Sequence, residues 1–236
     1  MDFLAEVATW FNDRANWRGE AGLANLVAEH LWVCAMSMAL ALAVALPLGL
    51  VLGHLGRGGV VAINMSNVGR ALPSFAVLVI ALQLSSIGTT PALVALIALA
   101  VPPVVTNSYV GVREVDAELV ESARGMGMTG RQVFLAVELP LALPLVMAGV
   151  RTAAVQVVGT ATLAALVGYG GLGALVILGL RTGDNVEVFA GALAVAVLAL
   201  ATELVLGRVQ RALTPAPLRQ ASQGVEEVEA LAPRPV

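Results

Sequence analysis

The chain has 236 residues, 58% hydrophobic and only 12% charged, with a mean hydropathy of +0.88. A soluble domain is about 25% charged, so a water-soluble globule is excluded and a polytopic membrane protein is expected. All 13 basic residues are arginine. The absence of lysine excludes a P-loop, whose lysine reaches nucleotide phosphates, and Schiff-base chemistry. A single cysteine, Cys34, rules out an internal disulfide, and His30 and His54 are too few for a usual metal constellation. The net charge of −3 offers no footprint for nucleic acid.

In chain order, the apolar residues of 2–11 recur at helical spacing, which predicts a short helix on the membrane surface. Met1 to Glu20 has no basic start followed by an apolar core, so no cleaved secretory leader is expected. A first span is expected from about Leu31 to Gly53, then a glycine-rich loop through His54 to Gly59. A second runs from about Val60 to Leu84, and a third from about Ala92 to Gly111, bent at Pro102-Pro103. The strongly polar segment 113–131 precedes a fourth span that starts near Gln132 and passes Arg151. Segment 160–180 is glycine-rich and apolar, and Val186 to Leu206 forms the last span. The expected organisation is an interfacial or extracytoplasmic helix in 1–21, a transmembrane domain in 22–212 and a disordered cytoplasmic tail in 213–236.

Arginine placement sets the orientation. With five spans and segment 113–131 in the cytoplasm, eight arginines are inside and three outside. Counting 160–180 as a sixth full span changes this to five inside and six outside. The first arrangement is preferred. It puts the N-terminus outside and the C-terminus in the cytoplasm, and makes 160–180 a partial or re-entrant element.

Within 115–126, helical spacing places Val115, Leu119, Ser122, Ala123 and Met126 on one face. Acidic residues at the start and Arg124 near the end suit a helix dipole. Gly125 and Gly127 stop this helix, and Thr129-x-x-Gln132 forms a capping box that starts the next. About eleven residues at 1.5 Å each give about 16 Å, too short to cross a bilayer. The pattern is that of a short amphipathic helix held on the cytoplasmic face as a docking surface.

Glu121-Ser122-Ala123, three residues, Gly127, nine residues and Val137-Glu138-Leu139-Pro140 resembles the EAA loop of ABC importer permeases, with Ser122 for Ala and Val137 for Ile. The surrounding string from Ala123 to Ala153, Gly168-Tyr169-Gly170-Gly171-Leu172-Gly173 and Arg70-Ala71-Leu72-Pro73-Ser74 resembles the osmoprotectant branch, for glycine betaine, carnitine and choline. The resemblance covers about residues 22–212. It implies a type I ABC importer permease fold: all-α and membrane-integral, with five core transmembrane helices and a cytoplasmic coupling helix at about 115–128. Glu121, Ser122, Ala123, Gly127, Leu119 and Met126 would then meet the ATPase.

The implied partners are a cytoplasmic ABC ATPase dimer that binds the ATP, an extracytoplasmic substrate-binding protein, and a second permease subunit, the same or homologous, in a bacterial inner membrane. No cofactor is expected in this chain. Independently of the resemblance, Leu31–Gly53 and Ala71–Val112 carry no Asp, Glu or Arg. Ion-coupled carriers normally keep such groups near the midplane, which argues for energy supplied by another chain. The tryptophans sit near the outer edge, so a tight aromatic cage is not expected in the pathway.

Several positions have two readings. Gly170, Gly171, Leu172 and Gly173 are an outer gate or a close helix contact. Asn64, Asn67 and Arg70 share a helix face and either line the pathway or bond between helices. Arg151, in an apolar span, pairs structurally or contacts solute. Cys34 reads as a packed thiol, His54 as a loop residue, and Pro102, Pro103, Pro140 and Pro144 as kinks. A permease for methionine or another small polar solute is the alternative in the same class. A secondary carrier or channel, or an integral-membrane enzyme, would be a different class.

Overall fold

The computed structural model describes residues 2–71 and 73–214, without the side chains of residues 2, 62, 63, 66, 68 and 70. Among the described residues the regular structure is entirely helical. Helix α1 (Asp2–Asn12) precedes the long α2 (Leu23–His54), and α3 (Gly59–Ala71) and α4 (Ser74–Gln83) follow. Then come α5 (Thr89–Arg113), the short α6 (Ala117–Gly125) and α7 (Gly130–Val133). A π-helical turn, Phe134–Glu138, joins α7 to α8 (Leu139–Thr160), which tightens into a 3₁₀ stretch, Ala161–Val167. Helices α9 (Leu172–Thr182) and α10 (Asn185–Leu213) complete the order. The tail expected over 213–236 lies outside the described residues from position 215; Leu213 still belongs to α10.

Among the described residues, four elements are long and apolar enough to cross a membrane: α2, α5, the continuous stretch 130–167, and α10. The second expected span differs. It is two helices, 13 and 10 residues long, rather than one. The cause is Pro73, extended at φ −62°, ψ 121°, which has no N–H to continue the α-helical ladder. Together α3 and α4 still carry the chain from the α6 end of the bundle to the α9 end. Helix α9 has 11 residues and about 16 Å of length, short of a bilayer core of about 30 Å.

Helix α5 is the centre, gripped by α2 on one side and α8 on the other. On α2, Ser37, Ala41, Ala45, Gly49 and Gly53 recur every fourth residue and are all buried. This stripe of small residues lets the backbones approach, the usual basis of helix packing where lipid removes the hydrophobic drive. A Cβ at Gly49 would lie 2.6 Å from the Val105 carbonyl oxygen, and one at Gly149 of α8 would lie 2.5 Å from the Asn107 Cβ. Helix α1 packs against the bundle. Its Trp10 and Phe11 pack onto Leu23, Leu26, Leu172 and Val195, and Phe3 meets Phe189 edge-on.

Candidate functional site

At one end of the bundle, α6 bridges the last turn of α5 and the start of α7. Asp116 caps it by accepting the Glu118 N–H at 2.8 Å, and Glu118 and Arg124 complement the two ends of its dipole. The five residues expected on one face separate onto two. Ala123 turns to the bundle and is 2% exposed, whereas Leu119 and Met126 are 50% and 77% exposed beside the exposed Glu121 and Ser122. Spacings of three and four residues put Leu119, Ser122 and Met126 on the outer side. Bulky apolar groups thus stand uncovered on a polar helix.

The elbow after α6 has a backbone mechanism. The Gly127 N–H donates to the Arg124 carbonyl (2.9 Å) and the Met128 N–H to the Ala123 carbonyl (3.2 Å), a Schellman closure with Gly127 at φ +87°. Helix α7 then starts with the expected capping box, the Gln132 Oε1 accepting the Thr129 N–H at 2.8 Å. Ahead of Pro140, which cannot donate to the carbonyl four residues back, the helix widens. The Leu139 N–H reaches the Phe134 carbonyl five residues earlier.

That wide turn holds Glu138, 5% exposed, against His54, with Oε2 2.5 Å from Nδ1. His54 is therefore not a loop residue; it is the last residue of α2, and its ring also packs on Phe134 at 5.1 Å. Glu121 and Arg124 of α6 share a cavity of about 210 Å³ with His54, Glu138 and Arg113. The short helix and the ends of three long ones therefore meet around one pair, a buried Glu138 and a half-buried His54. An acid inside an apolar run demands a partner, so Glu138 was the signal; which residue answers it depends on tertiary packing.

At the opposite end, the Gly-Gly-Leu-Gly element is fastened to α2. Glu29 Oε2 accepts the Gly171 N–H (2.9 Å) and Oε1 accepts from Asn25 (3.0 Å), while the Tyr169 hydroxyl donates to the Glu29 carbonyl oxygen (2.8 Å). His30 contacts the Val158 carbonyl oxygen through Nε2 at 2.9 Å. A Cβ at Gly170 would overlap the Glu29 carboxylate, and one at Gly173 the Thr162 carbonyl. Leu172 is fully buried. Glycine is required here for close contact between elements. Sequence reasoning did not single out Glu29, since an acid at the edge of a span is ordinary.

Arg151 faces α10, with Nε 3.1 Å from Glu203 Oε1 and Nη1 donating to Gln210 Oε1 at 3.0 Å. Gln210 in turn donates to the Pro144 carbonyl at 2.9 Å. Asn64 and Asn67 are exposed on α3, apart from Arg151; the Arg70 side chain lies outside the described residues.

Long apolar helices passing back and forth, with a short polar helix on an elbow between two of them, define a multi-pass membrane transport subunit. Residues 45–218 match the family described as binding-protein-dependent transport system inner membrane component, and the chain belongs to that family. It is 38% identical over 200 residues to the glycine betaine/carnitine/choline transport system permease protein OpuCB of Bacillus subtilis (strain 168), covering 85% of this chain and 90% of that one. The osmoprotectant import permease protein OsmY of Salmonella typhimurium is 39% identical over 198 residues, covering 83% and 84%. Among solved structures, an inward-facing conformation of the MetNI methionine ABC transporter is similar, with a TM-score of 0.70 at 26% identity over 82% of this chain and 96% of that one.

Proposed function

We propose that this chain is the permease subunit of an ATP-driven importer for osmoprotectants of the glycine betaine, choline and carnitine type. The names of the relatives at 38–39% identity support the solute class. The observation that carries the coupling role is α6 itself, whose Leu119 and Met126 are uncovered on an elbow between two long helices. A cytoplasmic ABC ATPase dimer docks on that face, with Glu121 and Ser122 beside it. Ala123 and Gly127 hold the helix at its angle. Motion of α6 reaches α2 and α8 through the cavity that Glu121 and Arg124 share with His54 and Glu138.

In this reading two permease subunits, identical or homologous, form the pathway in a bacterial inner membrane. The α6 end faces the cytoplasm with the C-terminus; the α9 end faces outward with the N-terminus and receives a substrate-binding protein. The element from Gly170 to Gly173 forms the outer closure, anchored by Glu29. The ATP is bound by the ATPase and not by this chain. The domain division is 1–21, 22–212 and 213–236.

The test is uptake of labelled glycine betaine into proteoliposomes containing this chain, its ATPase, its binding protein and any second permease. ATP-dependent uptake that choline and carnitine compete for, and methionine does not, is the expected result. Competition by methionine alone would keep the importer and discard the solute class. Uptake without ATP would overturn the reading.

A further inference from the structure

Midway along the bundle, beside the Pro102-Pro103 pair, lies a cavity of about 140 Å³ that the elements described so far do not use. Gly69 of α3 and Leu99 of α5 close two of its walls, and Thr152 and Gln156, one turn apart on α8, form the third. Consecutive prolines have no N–H groups, so the carbonyls of Ala98 and Leu99, four residues earlier, receive no α-helical bond from them. Asn107 completes the wall; its Nδ2 donates to the Pro103 carbonyl at 2.7 Å, which holds the amide in place. Among the described residues the side chains of Thr152 and Gln156 make no hydrogen bond.

Two physical consequences follow. Polar side chains without partners are costly against lipid, so this face of α5 and α8 is directed at water or at a second subunit. The space also has a definite capacity: a cavity of about 150 Å³ accommodates benzene, and the bulk of a trimethylammonium group with a short polar tail is similar. The described lining carries dipoles and no charged side chain. A site built of dipoles holds a charged solute weakly enough to release it, which conduction requires.

We propose that this cavity is a resting site for the transported solute on its way across the membrane. Carbonyl oxygens that Pro102 and Pro103 leave without an α-helical donor face the cationic methyl groups, and Thr152 and Gln156 supply hydrogen bonds to the carboxylate or hydroxyl at the other end. The identity of the solute rests on the function proposed above; the location of the site does not.

The test uses the complete transporter in proteoliposomes, with Thr152→Cys or Gln156→Cys in this chain. The native Cys34 is buried and gives a low background. A charged, water-soluble methanethiosulfonate reagent should modify both variants. Glycine betaine at about ten times its dissociation constant should slow that reaction about tenfold, in proportion to the site it occupies. Gln156→Leu, which keeps the bulk and removes the amide, should raise the KM for uptake severalfold. Failure of the reagent to reach either cysteine, or equal modification rates with and without the solute, would overturn the site. Uptake by the unsubstituted transporter reports separately on the solute: if it carries methionine instead, protection is measured with methionine, and the same two outcomes decide.

Discussion

The two ends of the bundle secure their short helices in opposite ways. At the α9 end, Gly170, Gly171 and Gly173 bring backbone against α2 and the 3₁₀ stretch, with Glu29, Tyr169 and His30 bonded across the joint. At the α6 end, the helix turns one small residue, Ala123, to the bundle, leaves Leu119 and Met126 outside, and borders a cavity containing the His54–Glu138 pair. One short helix is locked by close backbone contact; the other turns bulky apolar side chains outward.

Substitutions should separate the two designs, and the largest effect belongs to the closed end. Gly173→Val forces a side chain into the Thr162 carbonyl; overpacking of this kind costs about 3 kcal/mol, and the monodisperse peak in detergent chromatography should be largely lost. Next comes His54→Ala, which leaves the Glu138 carboxylate buried without its partner. A hydrogen bond to a charged group contributes about 2 kcal/mol, and the thermal midpoint should fall accordingly. The double variant His54→Ala/Glu138→Gln should recover part of that loss; strict additivity would show that the pair does not interact.

Gly127→Ala is milder. Nothing stands within 4 Å of a Cβ at that position, so only the left-handed backbone penalty of about 1 kcal/mol remains. A midpoint unchanged by this substitution would refute the elbow's dependence on φ +87°. The smallest effect on stability belongs to Leu119→Ala with Met126→Ala, within about 0.5 kcal/mol for exposed positions. Retention of the ATPase on purification should nevertheless fall severalfold, and unchanged retention would remove these two side chains from the docking face.

The contrast also marks what could be read from residues alone. The elbow, the capping box and the short reach of 160–180 were legible because each is local chemistry, a glycine or a side chain acting within a few positions. The split of α6 into two faces was not. Helical spacing groups Leu119 with Ala123 through a four-residue step, but which flank meets the bundle depends on the ends of α2 and α5. His54 and Glu29 were obscured for the same reason, since their partners lie 84 and 142 positions away. The break of the second span is a different case: Pro73 interrupts an apolar run long enough to read as one helix, and the run's hydropathy masks the break.

The four-residue stripe on α2 has a mechanical consequence. Where Gly49 meets the Val105 carbonyl and Gly53 meets Val112, there are few long side chains whose rotamers could yield. A displacement applied at His54 cannot be absorbed along such a seam, so α2 and α5 travel together as one plank. Between α8 and α10, by contrast, the joint near Arg151, Glu203 and Gln210 is made of long, jointed side chains that can lengthen and re-form. Of the two joints, the α2–α5 seam is therefore the stiffer.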